Sequence, residues 1–225
     1  MAKEKEELKE CFKKQYLTPE GVAKFPYLAE PNTKFVKGGK YEVRLYFDSE
    51  AGVKLLAMLQ EAYDEAIKWA KEKYEKMNAQ SKANNPFSPQ QFYKEEVLDD
   101  GTSTGRVFIH FDKFAKLELD DGRVLEFKVP VFDKANKPML QEDIKKACSG
   151  STMRAAFKVK PYFMPAGAKA GLSIDLQAVQ IIKAVEYTRD AESYGFTAYD
   201  ESDDEDFASA ASPAGEKNVK GEGDF

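Results

Sequence analysis

The chain has 225 residues, of which 42% are hydrophobic, 12% aromatic and 32% charged, and its net charge is −5. That is enough for one sizeable domain with appendages, and no apolar run reaches the ~18 residues that a membrane span needs. Two cysteines, Cys11 and Cys148, and a single histidine, His110, rule out a disulfide framework and multi-histidine metal sites.

The opening "MAKEKEELKECFKKQYL" carries both charge signs and no apolar stretch, so it does not read as a secretory signal, and a reducing cytosol is the expected compartment. No phosphate-binding glycine loop of either common type is present, and neither a cofactor nor a metal is expected. Of the 34 basic and 39 acidic residues, only three and eleven respectively lie in 189–225. The tail therefore carries −8 and residues 1–188 carry +3, a mildly basic body with an acidic appendage.

Residues 1–16 read as a short charged helix or arm, 17–188 as the folded domain and 189–225 as a disordered tail. In "FPYLAEPNTKFVKGGKYEVRLYF", proline and glycine punctuate loops. Its end alternates Tyr41, Val43, Leu45 and Phe47 against polar neighbours, the period of a half-buried strand. From residue 50 to 77 the period changes. Leu56, Leu59, Tyr63, Ile67, Ala70, Tyr74 and Met77 share one helical face. "NAQSKANNPFSPQQ" reads as a long loop around Pro86 and Pro89.

"GRVFIHFDKFAKLEL" and "GRVLEFKVPVF" alternate as strands across the turn Asp120-Asp121-Gly122. "QEDIKKAC" reads as a short helix. "STMRAAFKVKPYFM" and "GLSIDLQAVQIIKAVEY" form a last pair, and a phase change in the second predicts a bulge near Ala178. The expected fold is mainly β: a five-stranded Greek-key barrel of the OB type, a long helix inserted after the first strand, and the acidic tail. A β-sandwich satisfies the same strand count.

Between Ile144 and Ile174 there is no Asp or Glu, yet there are Lys145, Lys146, Arg154, Lys158, Lys160 and Lys169. Strand parity puts Arg154, Lys158, Lys160 and Tyr162 on one face, with Ala155, Phe157 and Val159 on the other. Spaced cations track phosphates and rings stack bases, and only single strands present base faces. Lys40, Arg44 and Tyr46, with Lys34 and Lys37 in the loop before them, repeat the mixture, as do Arg106, Phe108 and His110. For Phe108 the parity is ambiguous, since Val107 is equally apolar. The expected DNA-binding set is Lys37, Lys40, Arg44, Tyr46, Arg106, Phe108, Arg154, Lys158, Lys160 and Tyr162.

The tail places Phe207 after Asp203, Asp204, Glu205 and Asp206, and ends on Asp224 and Phe225. Anions with a stackable ring mimic single-stranded nucleic acid, so this segment is expected to occupy the basic face or a partner's basic-rimmed pocket.

Taken in order, "YLAEP", "YEVRLYF", "LQEAYDEAIKWAKEKYE", "DDGT", "FKVKPYFMPAGAKAGLSIDLQAVQIIKAVEY" and the closing Asp-Phe resemble the single-stranded DNA-binding proteins of T7-like bacteriophages. The resemblance runs from about Phe25 to Tyr187 and returns at the C-terminus. It implies an OB fold that binds single-stranded DNA and anneals complementary strands in replication and recombination, in the cytoplasm of an infected bacterium. It also implies a tail that supports a homodimer and contacts the phage DNA polymerase and helicase-primase. The family's aromatic contribution falls here on Pro161-Tyr162-Phe163. The chain departs from the pattern in its N-terminal arm, in Met164, and in Lys217 and Lys220 within the tail. An RNA-binding OB module and a scaffold acting through the tail are the competing expectations; an enzyme is the remotest, since no carboxylate cluster sits on the basic strands.

Overall fold

The computed structural model describes residues 9–119 and 121–186. The tail set from Asp203 to Phe225 and the first half of the N-terminal arm lie outside the described residues.

In chain order the elements are α1 (Glu10–Lys13), β1 (Tyr16–Leu17), β2 (Gly21–Asn32), β3 (Lys40–Phe47) and α2 (Ser49–Glu75). Then come α3 (Ala79–Asn84), β4 (Ser88–Pro89), β5 (Lys94–Val97), β6 (Ser103–Phe114), β7 (Lys116–Glu118) and β8 (Val124–Glu126). The chain finishes with β9 (Val131–Phe132), α4 (Gln141–Lys146), β10 (Thr152–Met164) and β11 (Lys169–Lys183). Five strands carry the body. β10 pairs with β2, β2 with β3, β3 with β6, β6 with β11, and β11 with β10 again. All of these pairings are antiparallel except that of β6 with β11.

Inside this ring lie Val43, Leu45, Phe47, Ile109, Phe111, Met153, Ala155, Phe157, Val159 and Leu176, all fully buried. Each large side chain among them contributes about 1.5–3 kcal/mol of burial. The inward set read for β3 holds, although Tyr46 on the opposite phase is buried as well. The phase change in β11 holds too: Leu172, Ile174 and Leu176 are buried, then Val179 and Ile181. Ala156 pairs with Ala178 and Phe157 with Leu176, which leaves Gln177 as the extra residue of a bulge.

The helix does not follow the first strand: β1 and β2 both precede β3. β2 escaped the sequence reading because Pro26 and Pro31 look like loop residues. The chain accommodates them at two register shifts, with Phe25 at φ 53°; proline is tolerated in a strand at such irregularities. The hairpin turn at Gly122 is real, but it joins only β7 to β8, a separate two-stranded sheet. The fifth strand of the ring is therefore 21–32 rather than 123–132.

Asp48 caps α2, accepting 2.8 Å from the Ala51 amide. The helix buries Gly52, Leu55, Leu59, Ala62, Ala66 and Ala70. Of the expected face Leu59 and Ala70 lie on that stripe, while Leu56, Tyr63, Ile67 and Tyr74 only flank it, half-buried. Small residues let the helix axis approach the sheet, and a reading weighted by side-chain size misplaced the face. Lys9 pairs with Glu65 on this helix, and Cys11, Phe12 and Tyr16 join the common core. Lys9–Tyr16 thus belongs to the body.

Candidate nucleic-acid interface

On the outward face of the sheet, Lys40, Glu42, Arg44 and Tyr46 of β3 stand opposite Phe114, Asp112, His110 and Phe108 of β6. The parity of β6 is settled: Ile109 and Phe111 point inward, and Phe108 points outward and stacks on Tyr46 at 4.7 Å. β5 brings Lys94 beside Phe108. A cleft of about 450 Å³ opens between these strands and β11, lined by Arg44, Tyr93, Lys94, Phe108, His110 and Ser173 among others.

The row continues onto β10. Asp112 pairs with Asp175 on β11, and Asp175, Ser173 and Gly171 stand opposite Lys158, Lys160 and Tyr162. Arg44, Lys158, Lys160 and Tyr162 therefore follow one outward surface across β3, β6, β11 and β10. Tyr162 is half-buried, and burial pushes its phenol pKa up.

This surface is less basic than the sequence suggests. The window 145–173 has no carboxylate of its own, but neighbouring strands supply four. Lys40 pairs with Asp112, and His110 Nε2 lies 3.3 Å from Glu42. Asp175 receives Lys113 at 3.6 Å and Lys160 at 3.8 Å. Glu96 accepts from Lys24 at 2.8 Å and lies 3.7 Å from Arg106. The hydrogen bond from the Lys24 ammonium holds the Glu96 carboxyl below its ordinary pKa. Among the described residues Arg44, Lys94 and Lys158 make no ion pair, although the Arg44 guanidinium lies 5.5 Å from the Phe25 ring centroid. Burial lowers the His110 pKa despite the opposing charges of Asp112 and Glu42.

Of the ten expected residues only Arg44 and Phe108 line the cleft itself, and three contribute little to the surface around it. Arg154, at the far end of β10, donates from Nε to the Thr18 carbonyl at 3.2 Å and faces Gln180. Lys37 sits in the loop before β3, exposed and without an ion pair among the described residues. Tyr46 is only 7% exposed, with Phe108 stacked on it and Lys24 Nζ 4.1 Å from its centroid. Its ring is already occupied.

The sequence reading missed Lys24, Phe92, Tyr93 and Lys94. Phe92 and Tyr93 meet edge to face at 5.4 Å, and Phe92 continues to Tyr63 at 5.5 Å. The run Phe92-Tyr93-Lys94 repeats the ring-and-cation mixture found elsewhere. It lies just past the stretch read as loop, and the sequence reading assigned it to no element.

A family model described as the single-stranded DNA-binding protein of bacteriophage T7 matches residues 21–184. Among solved structures, the chain resembles the crystal structure of gp2.5, a single-stranded DNA-binding protein encoded by bacteriophage T7. Identity is 18%, the TM-score is 0.61, and the match covers 84% of this chain and 96% of that one. The single-stranded DNA-binding protein of bacteriophage Enc34 is also similar. Its C-terminal truncation matches at 13% identity and TM-score 0.49, over 77% of this chain and 88% of that one. Its complex with single-stranded DNA matches at 14% identity and TM-score 0.48, over 76% and 88%. No curated protein matches the chain in sequence.

Proposed function

The chain belongs to the single-stranded DNA-binding protein family of bacteriophage T7, and from that premise we propose that it is a non-enzymatic, sequence-tolerant binder of single-stranded DNA. The carrying observation is the outward surface on which Arg44, Lys94 and Lys158 stand unpaired among Tyr93, Phe108 and Tyr162. Cations spaced along adjacent strands follow the phosphates of an extended strand, and the rings stack its bases without reading their identity. A duplex hides those faces. The ring of five strands is read as a Greek-key barrel of the OB type, with the cleft across its β3–β6 face.

The biological role follows the family resemblance: protection and annealing of single strands in phage replication and recombination. The acidic tail then recruits the DNA polymerase and helicase-primase, supports a homodimer, and competes for the basic surface when DNA is absent.

Titration with an oligothymidylate at two salt concentrations tests the reading. Affinity should fall with salt, with a log–log slope of about 0.7 per phosphate engaged. Deleting residues 200–225 should tighten binding. Absence of binding at low salt rejects the proposal, and competition with a matched RNA oligomer decides between the two nucleic acids.

A further inference from the structure

The cleft does not exhaust the exposed rings. Phe35, in the loop between β2 and β3, is 81% exposed, more than any other large apolar residue described. Lys34 Nζ lies 5.6 Å from its centroid. Across residues 33–40 the sequence "TKFVKGGK" holds three lysines and no carboxylate, and neither Lys34 nor Lys37 makes an ion pair among the described residues. Phe114, at the end of β6, is 48% exposed, with Lys40 Nζ 4.3 Å from its centroid.

These two rings lie at the same end of the β3–β6 pair. Lys40 and Phe114 are paired across β3 and β6. The Ala115 amide donates 2.9 Å to the Gly39 carbonyl, and Gly38 abuts the Lys116 carbonyl. The loop is thereby tied to the strand end beside Phe114. This end is continuous with the cleft: Lys40 and Phe114 stand four residues along their strands from Arg44 and His110, about 13 Å away at strand rise.

We propose that Phe35 and Phe114 form a second base-stacking platform, with Lys34 and Lys37 as its phosphate contacts, that lengthens the path of single-stranded DNA beyond the cleft. This rests on the DNA-binding reading. Alternation of solvent-facing rings with unpaired ammonium groups suits a polyanion that carries flat bases. An apolar protein partner would gain nothing from the lysines and would have to desolvate them.

The test measures anisotropy with the full-length chain and oligothymidylates of about 4 and about 16 nucleotides, the range of site sizes for such folds. The double variant Phe35→Ala/Phe114→Ala should bind the long oligomer about tenfold more weakly, by loss of stacking, and the short one as wild type does. Tyr162→Ala should weaken both. Because Phe35 is almost wholly exposed, Phe35→Ala alone keeps the fold and should show part of the loss. Sedimentation velocity is run in parallel.

Wild-type binding with unchanged or equally weakened variants at both lengths overturns the platform alone. A change in mass without a change in affinity assigns the rings to a second copy of the chain and overturns the platform likewise. No binding by the wild type at either length overturns the underlying reading, and the platform with it.

Discussion

Gly171 lies so close beneath Tyr162 that a Cβ there would stand 3.2 Å from the ring Cε1 and from the hydroxyl oxygen, and 2.8 Å from the Gln90 carbonyl. The glycine thus sets the height of the ring above β11 as well as the docking of the 88–90 segment, whose Gln90 amide donates to Ala170 at 2.7 Å. Tyr162→Ala should cost about 1–3 kcal/mol of oligothymidylate affinity if the ring stacks a base. Gly171→Ala should reproduce much of that loss with Tyr162 still present, because the ring must lift. It should also cost about 1–3 kcal/mol of stability through overpacking. Wild-type DNA affinity in a folded Gly171→Ala protein would show that the position of the ring is unimportant.

His110 couples acidity to two properties in opposite directions. Its side chain faces Arg44, Asp112, Glu42 and Lys40, and burial holds its pKa below the ordinary 6.5. A depressed folded-state pKa means that the unfolded chain binds the proton more readily. The stability it contributes is present above pH 6.5 and is lost as pH falls through the folded value. A phosphate in the cleft would favour the imidazolium, so DNA affinity should rise over the same interval. Urea midpoints and oligothymidylate titrations from neutral pH downward should diverge in this way, and His110→Gln should flatten both. Parallel loss of stability and affinity would place the DNA elsewhere.

What could be read in advance depended on whether one strand carried the information alone. The inward set of β3, the cation row of β10 and the bulge in β11 each follow from parity within a single segment, and they stand. β2 was hidden because Pro26 and Pro31 suppress the local strand signal, while pairing to β3 and β10, contributed by distant sequence, secures it. The four carboxylates that temper the basic surface are a property of register: no inspection of 145–173 alone could supply Glu42, Glu96 and Asp112 from other strands. Phe92 and Tyr93 were legible as a ring pair beside Lys94 but could be located only once β5 was paired with β6.

The misread helix face yields a stability test. A Cβ at Gly52 would lie 2.6 Å from Val107 Cγ2, a separation that packed side chains do not tolerate. Gly52→Ala trades higher helix propensity, worth about 1 kcal/mol, against overpacking worth about 1–3 kcal/mol. The second effect should win, lowering the urea midpoint without changing the dependence of DNA affinity on salt. A stabilised variant would mean that Val107 yields easily and that α2 is not closely seated at this turn.

The carboxylates make the surface itself testable. Glu96 keeps Lys24 and Arg106 engaged, and Asp175 does the same for Lys113 and Lys160. Each such cation must leave its carboxylate before it can neutralise a phosphate, so the acids weaken binding and flatten its salt dependence. Glu96→Gln and Asp175→Asn should therefore tighten oligothymidylate binding. The log–log salt slope should steepen by up to about 0.7 for every released cation that meets a phosphate. Stability should change by no more than about 1 kcal/mol, the usual worth of partly exposed pairs. Arg44→Ala and Lys158→Ala, which remove cations that no carboxylate holds, should shift the slope the other way by a similar step. If the carboxylate variants lost stability and gained neither affinity nor slope, the pairs would be struts of the sheet, and the phosphates would run along another face.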